Sequence, residues 1–271
     1  MDDIEGRIVS NRIITAGCYG IKIRLSRPMD APDPGQFVML RIPGNEVFLR
    51  RPFGIYHYRN QMLSIMYKVV GKGTESLARA LKNKPVFVLG PLGKGFRISE
   101  RDKYLIVAGG IGIAGVHTLI ERLGKRATLF YGCSKKEEAT LINDLARLDP
   151  AIATLDGSYG FKGNVVELLG QYMKGMKTIS TPALRGKGGQ EDSSVKSGNV
   201  ECFACGPDNM LRSLKPLLAE ERLPCQALVE ERMACGLGLC FGCVKKTIDE
   251  NEPYKRVCKE GPVFNLWEIC L

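Results

Sequence analysis

Four cysteines near the C-terminal end carry the most specific chemistry in the chain. Cys235, Cys240 and Cys243 follow a C-x4-C-x2-C spacing, and Cys258 comes after fourteen intervening residues. Thiolates are soft metal ligands. Three on a tight loop and a fourth returning later suit a two-iron cluster, whose plant-type form uses the pattern C-x4-C-x2-C…C. Gly236, Gly238 and Gly242 lie between the ligands. Without side chains there, the backbone can close around a bulky group and aim N–H groups at sulfur. A structural zinc site competes with this reading, although zinc knuckles pair short C-x2-C turns more often. A disulfide pair or free thiols is the remaining alternative. Cys18, Cys133, Cys202 and Cys270 read as small apolar fillers, and Cys225 as a substitute ligand or a neighbour of the site.

Three other stretches combine residue types that suit phosphates and rings. Arg51-Pro52-Phe53-Gly54 sets a fixed cation and a rigid proline beside an aromatic ring. Tyr67-Lys68 leads to Gly73-Thr74 at the start of a helical pattern over 74–81, with Thr74 as its expected N-cap. The free N–H groups of a helix start suit a pyrophosphate. Taken alone, the first is also an ordinary strand end and the second an ordinary turn. Gly110, Gly112 and Gly115 fit G-x-G-x-x-G between an apolar strand at 104–108 and a helix at 116–123. That is a pyrophosphate loop or a close helix–strand packing point. The following strand, 127–133, runs into Ser134-Lys135-Lys136 without the acid that clamps a ribose in the dinucleotide fingerprint. Cys205-Gly206-Pro207 ends a further strand, where α/β sheets bind ligands.

The elements around these residues change character along the chain. Residues 1–99 read as short alternating strands broken by Pro and Gly, the pattern of a small antiparallel barrel. Residues 100–224 alternate apolar strands with helices, the pattern of a parallel nucleotide-binding sheet. Helices are expected at 137–148, 165–172 and from about 211 to 222, and a strand at 151–155 that ends in Asp156-Gly157-Ser158. Residues 173–199 carry much turn chemistry and read as an insertion or mobile loop. Residues 225–271 form a small cysteine domain with strands at 227–232, 244–248 and 254–257. Its apolar tail, Gly261 to Trp267, is expected to cover the metal site or to pack on the sheet.

Composition bounds the rest. The 271 residues include 39 basic and 29 acidic side chains, for a net charge of +10. The basic residues are spread along the chain rather than gathered with aromatics, which argues against nucleic acid and fits anionic small ligands. The N-terminus lacks a secretory core, and the charge-free run at 104–120 is short for a membrane span. A reducing cytoplasm is therefore expected.

In order along the chain, Arg51-Pro52-Phe53-Gly54, Gly73-Thr74, Gly109-Gly110-Ile111-Gly112, Asp156-Gly157-Ser158, Cys205-Gly206-Pro207 and the four cysteines resemble the ferredoxin–NADP reductase superfamily. With Gly261-Pro262-Val263-Phe264 after the cluster, the chain most resembles the electron-transfer subunits of NAD-dependent (class 1B) dihydroorotate dehydrogenases. The resemblance implies FAD against Arg51, Pro52, Phe53, Gly54, Tyr67 and Lys68, with its pyrophosphate at Gly73 and Thr74. It implies NAD(H) at Gly110, Gly112, Asp156, Cys205, Gly206 and Pro207, and a [2Fe–2S] cluster on Cys235, Cys240, Cys243 and Cys258. The superfamily's usual serine is Gly54 here. The implied partner is an FMN-containing dihydroorotate dehydrogenase catalytic subunit, two copies of each chain forming a heterotetramer in pyrimidine biosynthesis. Electrons would pass between dihydroorotate and NAD+, with no general base needed from this chain, so His57 and His117 read as structural. The alternatives are a flavin and iron–sulfur subunit of another NAD(P)H:ferredoxin-type oxidoreductase complex, or a non-enzymatic redox sensor.

Overall fold

Side-chain alternation builds the first half of the molecule. In strand β1 (Ile4–Thr15), Ile4, Gly6 and Ile8 are buried while Glu5, Arg7 and Val9 are exposed, the period-2 pattern of a half-buried strand. The structure is a computed structural model that describes residues 3–43, 48–180 and 199–271. β2 (Cys18–Leu25), β3 (Phe37–Arg41), β4 (Arg51–Gly54), β5 (His57–Arg59), β6 (Met62–Lys68), helix α1 (Lys72–Ala78) and β7 (Pro85–Leu92) follow. The strands form an antiparallel sheet in the order β4-β3-β7-β1-β2-β6-β5. The sheet curls until β4 returns to β6, where the Phe53 and Tyr67 rings meet edge-on at 5.6 Å. Ile8, Ile21, Ile23, Val38, Leu63 and Val88 fill its interior.

Helix α1 begins earlier than its sequence pattern suggests. Gly71 is the N-cap, and Thr74 sits in the first turn. The Thr74 hydroxyl accepts hydrogen bonds from the N–H groups of Val70 at 2.9 Å and Gly71 at 3.2 Å. Threonine thus reaches back to N–H groups that the turn leaves free, instead of capping from the front.

The second half is wound around a parallel sheet. It comprises β8 (Lys103–Gly109), α2 (Ile113–Leu123), β9 (Ala127–Cys133), β10 (Ala151–Thr154), β11 (Phe161–Lys162), α3 (Val165–Ser180), β12 (Val200–Cys205), α4 (Asp208–Glu220) and β13 (Cys225–Leu228). The strand order is β11-β10-β9-β8-β12-β13. β12 is buried at all six positions, as a central parallel strand must be. The chain moves outward from β8 on one side and then returns to start β12 on the other. Ligands bind α/β sheets at such a reversal of strand order.

Two helices depart from expectation. Residues 136–148 wind as 3₁₀ turns with a kink at Ile142 rather than as one α-helix, and Leu141, Ile142 and Leu145 are all buried. α3 continues to Ser180, past the end expected at 172, because Met173 also packs into the core. The rest of the expected insertion, 181–198, lies outside the described residues.

The cysteine segment is clasped at both ends by the parallel sheet. β13, expected to open a separate domain, pairs with β12. After the ribbon of β14 (Val244–Lys246) and β15 (Tyr254–Arg256), strand β16 (Val263–Asn265) returns antiparallel onto β13. The apolar tail therefore packs on the sheet edge.

Barrel and sheet also meet through titratable groups. His117 is buried, with Nδ1 3.1 Å from the Tyr56 carbonyl oxygen and Nε2 3.0 Å from Asp144 Oδ2. The Tyr56 ring stacks on His117 at 3.8 Å, and its hydroxyl donates to Asp144. Burial opposes the Asp144 charge, but hydrogen bonds from His117 and Tyr56 outweigh it and hold its carboxyl below the ordinary value. A carboxyl depressed by folding contributes stability above its unfolded pKa and loses it as pH falls through the lower folded value. The wild-type melting temperature should therefore fall more steeply below about pH 4 than that of Asp144→Asn. Identical acid limbs would contradict this role.

Candidate functional site

A cleft of about 290 Å³ opens between the barrel and the sheet. Arg51, Pro52, Phe53 and Gly54 of β4 line one wall, with Tyr67, Lys68 and Thr74 beside them. Ile111, Ala114 and Gly115 come from the opposite domain, and Val229 to Glu231 close the back. Burial pushes the Tyr67 phenol up to about 12, so it stays protonated. It donates to Asn11 Oδ1 at 3.0 Å, and Asn11 Nδ2 donates to the Leu77 carbonyl of α1 at 2.7 Å. One asparagine therefore fixes a cleft-lining ring to the neighbouring helix. A Cβ placed on Gly73 would lie 2.5 Å from Arg51 Nε. The guanidinium thus lies across the start of α1, where cation and N–H groups together suit a phosphate. A Cβ on Gly54 would lie 3.7 Å from the Gly115 Cα, ordinary contact, so packing does not force glycine there.

The glycine loop and the Cys205 turn form one joint at the end of β8 and β12. Gly110 has φ +52° and open space where a side chain would point. Gly112 differs, since its Cβ would lie 2.5 Å from the Cys205 carbonyl oxygen. A Cβ on Gly115 would meet Cys205 Sγ at 3.0 Å and Leu228 at 2.9 Å. So Gly110 is free to face a ligand, while Gly112 and Gly115 let α2 approach Cys205. Burial, with a smaller contribution from Glu230, pushes the Cys205 thiol up, keeping it neutral. Asp156 sits apart on an exposed turn, accepting from Ser158 N at 2.9 Å and Ser158 Oγ at 2.6 Å. Ser158 Oγ in turn accepts from Lys136 N at 2.9 Å, joining the two loops at this sheet edge.

The four cysteines gather as two pairs. Cys243 and Cys258 are buried within thiol hydrogen-bonding reach of each other, and Cys235 and Cys240 pair likewise nearer the surface. Two pairs are what a two-iron cluster needs. Backbone N–H groups point at all four sulfurs: Leu237 to Cys235 at 3.3 Å, Gly238 to Cys258 at 3.1 Å, Gly242 to Cys240 at 3.4 Å and Cys258 to Cys243 at 3.4 Å. Burial opposes the Cys235 charge, yet N–H groups and the Cys240 thiol outweigh it and lower its pKa to about 6. Gly236 and Gly238 have φ of +71° and +76°, a region glycine enters without strain. Cys243 and Cys258 share an apolar core with Phe37 and Met39 of β3. Phe37 also lines the cleft, and a Cβ on Gly236 would meet the Met39 side chain at 2.7 Å.

Comparison with known proteins identifies this arrangement. Residues 230–270 match the family model described as the iron–sulfur cluster binding domain of dihydroorotate dehydrogenase B. The dihydroorotate dehydrogenase B (NAD(+)) electron transfer subunit of Caldanaerobacter subterraneus subsp. tengcongensis is 32% identical over 269 residues, 98% of each chain. The chain belongs to this family of electron transfer subunits. The family member from Desulforamulus reducens is 34% identical, over 89% of this chain and 90% of that one. In fold, the chain is similar to an NADH-dependent reduced ferredoxin-NADP oxidoreductase (TM-score 0.77, 23% identity, 98% of this chain and 89% of that one). It is also similar to a ferredoxin NADP+ reductase from Neisseria gonorrhoeae solved with FAD and NADP (TM-score 0.64, 17% identity, 80% and 90%).

Several site residues of this electron transfer subunit escape sequence reasoning. Arg256 donates to the Gly238 carbonyl at 2.8 Å, lies 4.7 Å above the Phe241 ring and pairs with Glu260, clamping the cysteine loop. Glu230 stands in the cleft, reached by solvent on the open side and surrounded by protein elsewhere; burial, with Asp208 adding to it, raises its pKa. Two adjacent acids at a strand end, Glu230-Glu231, were the available signal.

The Arg51 cradle yields a prediction. Gly73→Ala meets only a movable side chain, so it should leave unfolding nearly unchanged while displacing the guanidinium. Losing a charged hydrogen bond costs about 1.5–3 kcal/mol, so FAD should dissociate roughly 10- to 100-fold more readily. Fluorescence titration of the apoprotein with FAD measures this, and unaltered affinity would remove Arg51 from the phosphate site.

Proposed function

We propose that this chain carries electrons between NAD(H) and an FMN-containing dihydroorotate dehydrogenase catalytic subunit. FAD occupies the barrel cleft, and a [2Fe–2S] cluster rests on Cys235, Cys240, Cys243 and Cys258. A bound flavin exchanges a hydride with nicotinamide and single electrons with an iron–sulfur centre. One observation carries the reading. Strand β3 presents Phe37 to the cleft and shares a core with Cys243 and Cys258, while Cys240 of the outer pair is exposed. The residues around the cysteines thus give an inner end toward the flavin cleft and an outer end toward solvent.

Each site residue has a task in this scheme. Arg51, Gly73 and Thr74 hold the FAD pyrophosphate, while Pro52, Phe53, Gly54, Tyr67 and Lys68 form the flavin wall. Gly54 serves through its backbone N–H. Gly110 faces the nicotinamide dinucleotide, and Gly112 lets the loop close on Cys205-Gly206-Pro207, which borders the nicotinamide. Asp156 orders the outer loop toward the adenosine end. Ser134, Lys135 and Lys136 lie near that loop without an arginine, which favours NAD over NADP.

The partner docks at the outer cysteine pair, with two copies of each chain in the assembly. Leu237, Leu239 and Phe241 are exposed around that pair, the kind of apolar rim an interface covers. A cytoplasmic setting is supported by ten unpaired cysteines among the described residues. No described helix is long and apolar enough to cross a membrane.

Cys240→Ser separates the two halves of the path. It should abolish cluster assembly and electron delivery to the catalytic subunit, yet preserve part of the NADH oxidation by an artificial acceptor that takes electrons from FAD. Both activities surviving unchanged would take the cluster off the path, and copurification with a different catalytic partner would overturn the partner assignment.

A further inference from the structure

Lys245 lies on β14, two residues beyond Cys243, with only 8% of its side chain exposed. Its ammonium contacts two carboxylates from separate parts of the molecule: Asp208 Oδ2 at 2.9 Å and Glu231 Oε1 at 3.0 Å. Asp208 opens α4 immediately after Cys205-Gly206-Pro207. Glu231 belongs to the back wall of the cleft. A lysine so deeply placed is costly unless paired, and here the pairing joins three elements far apart in sequence. The turn after β12, the cleft wall after β13 and the ribbon of the cysteine module are pinned to one nitrogen. A Cβ on the cleft-lining Gly115 would lie 3.0 Å from Cys205 Sγ, so the turn starts directly behind that edge of the cleft, and Glu231 lies in the cleft wall itself.

We propose that Lys245 is a positioning residue for the nicotinamide, setting the spacing between the Cys205–Asp208 turn and the cleft wall from within the cysteine module. This rests on the reading of Cys205-Gly206-Pro207 as the nicotinamide side. By the same ties, nicotinamide binding is mechanically linked to the module that holds the cysteines. A tether of this kind acts through geometry and so differs from simple charge compensation, and the two make opposite predictions for Glu231.

The test is calorimetric binding of NAD+ to the FAD- and cluster-loaded protein, alongside steady-state NADH oxidation with ferricyanide. Lys245→Met should weaken NAD+ binding and raise the KM for NADH by about 10- to 100-fold, with kcat changed by no more than about threefold. Lys245→Arg, which keeps two-sided pairing, should restore binding to within about threefold of wild type. Glu231→Met removes a negative charge but cuts one tie, and it should also weaken NAD+ binding. Tighter or unchanged binding in Glu231→Met would overturn the proposal in favour of charge compensation or a purely structural pair. The same holds for Lys245→Met if it lowers thermal stability without altering NAD+ affinity. If Lys245→Met does not fold, Lys245→Arg and Glu231→Met decide the matter alone. A wild-type protein that bound no NAD+ would instead defeat the reading of the Cys205 turn, so the two failures are distinguishable.

Discussion

The molecule depends on the packing of the cysteine loop against barrel strand β3, where a Cβ on Gly236 would meet the Met39 side chain at 2.7 Å. Cys243 and Cys258 lie in one apolar core with Phe37, Met39 and Val229. This contact joins the cysteine loop directly to the barrel, in addition to the barrel–sheet seam at Tyr56, His117 and Asp144. It also requires glycine at position 236, where any side chain would strike Met39. Because β3 presents Phe37 to the cleft, the cysteine loop is seated one strand away from it. The sheet contributes the remaining constraint by gripping the cysteine segment through β13 and β16.

The nucleotide side follows the same logic of close approach. Gly112 and Gly115 allow α2 to press on the Cys205 carbonyl and thiol, so the ends of β8 and β12 form a fixed corner at the strand-order reversal. A rigid corner of this kind suits the proposed nicotinamide border, because hydride transfer demands a ring held at a set depth. The barrel meets this corner through Tyr56, His117 and Asp144. Both histidines have partners at that seam, His57 lying 3.3 Å from Glu121, and neither lines the cleft.

Much of this was legible in the sequence because the informative patterns are local. Ligand spacing within nine residues, glycines at turns and the change from alternating to continuous apolar strands each reflect geometry along a short stretch. What was hidden depends on distant partners. Lys245 gains its meaning from Asp208 and Glu231, and Arg256 from the loop carbonyl of Gly238. No local pattern predicts either. The 3₁₀ winding at 136–148 and the extension of α3 are not legible locally, because tertiary burial of Ile142 and Met173 overrides helical periodicity and the turn chemistry after 172. Thr74 was misplaced because a hydroxyl can satisfy free N–H groups from inside the first turn as well as from the cap. For Gly112 the sequence leaves a ligand contact and a close packing point open, and the Cys205 carbonyl, 2.5 Å from where a Cβ would lie, accounts for the packing.

The most direct test of a path from the cleft to the cysteines is anaerobic reduction of the purified, cofactor-loaded chain by NADH, followed by visible absorbance and electron paramagnetic resonance. The expected result is loss of the flavin absorbance together with the signal of a reduced [2Fe–2S] cluster, in the absence of any other protein. Flavin bleaching with a cluster that stays oxidised, at a potential where dithionite reduces it, would contradict the path.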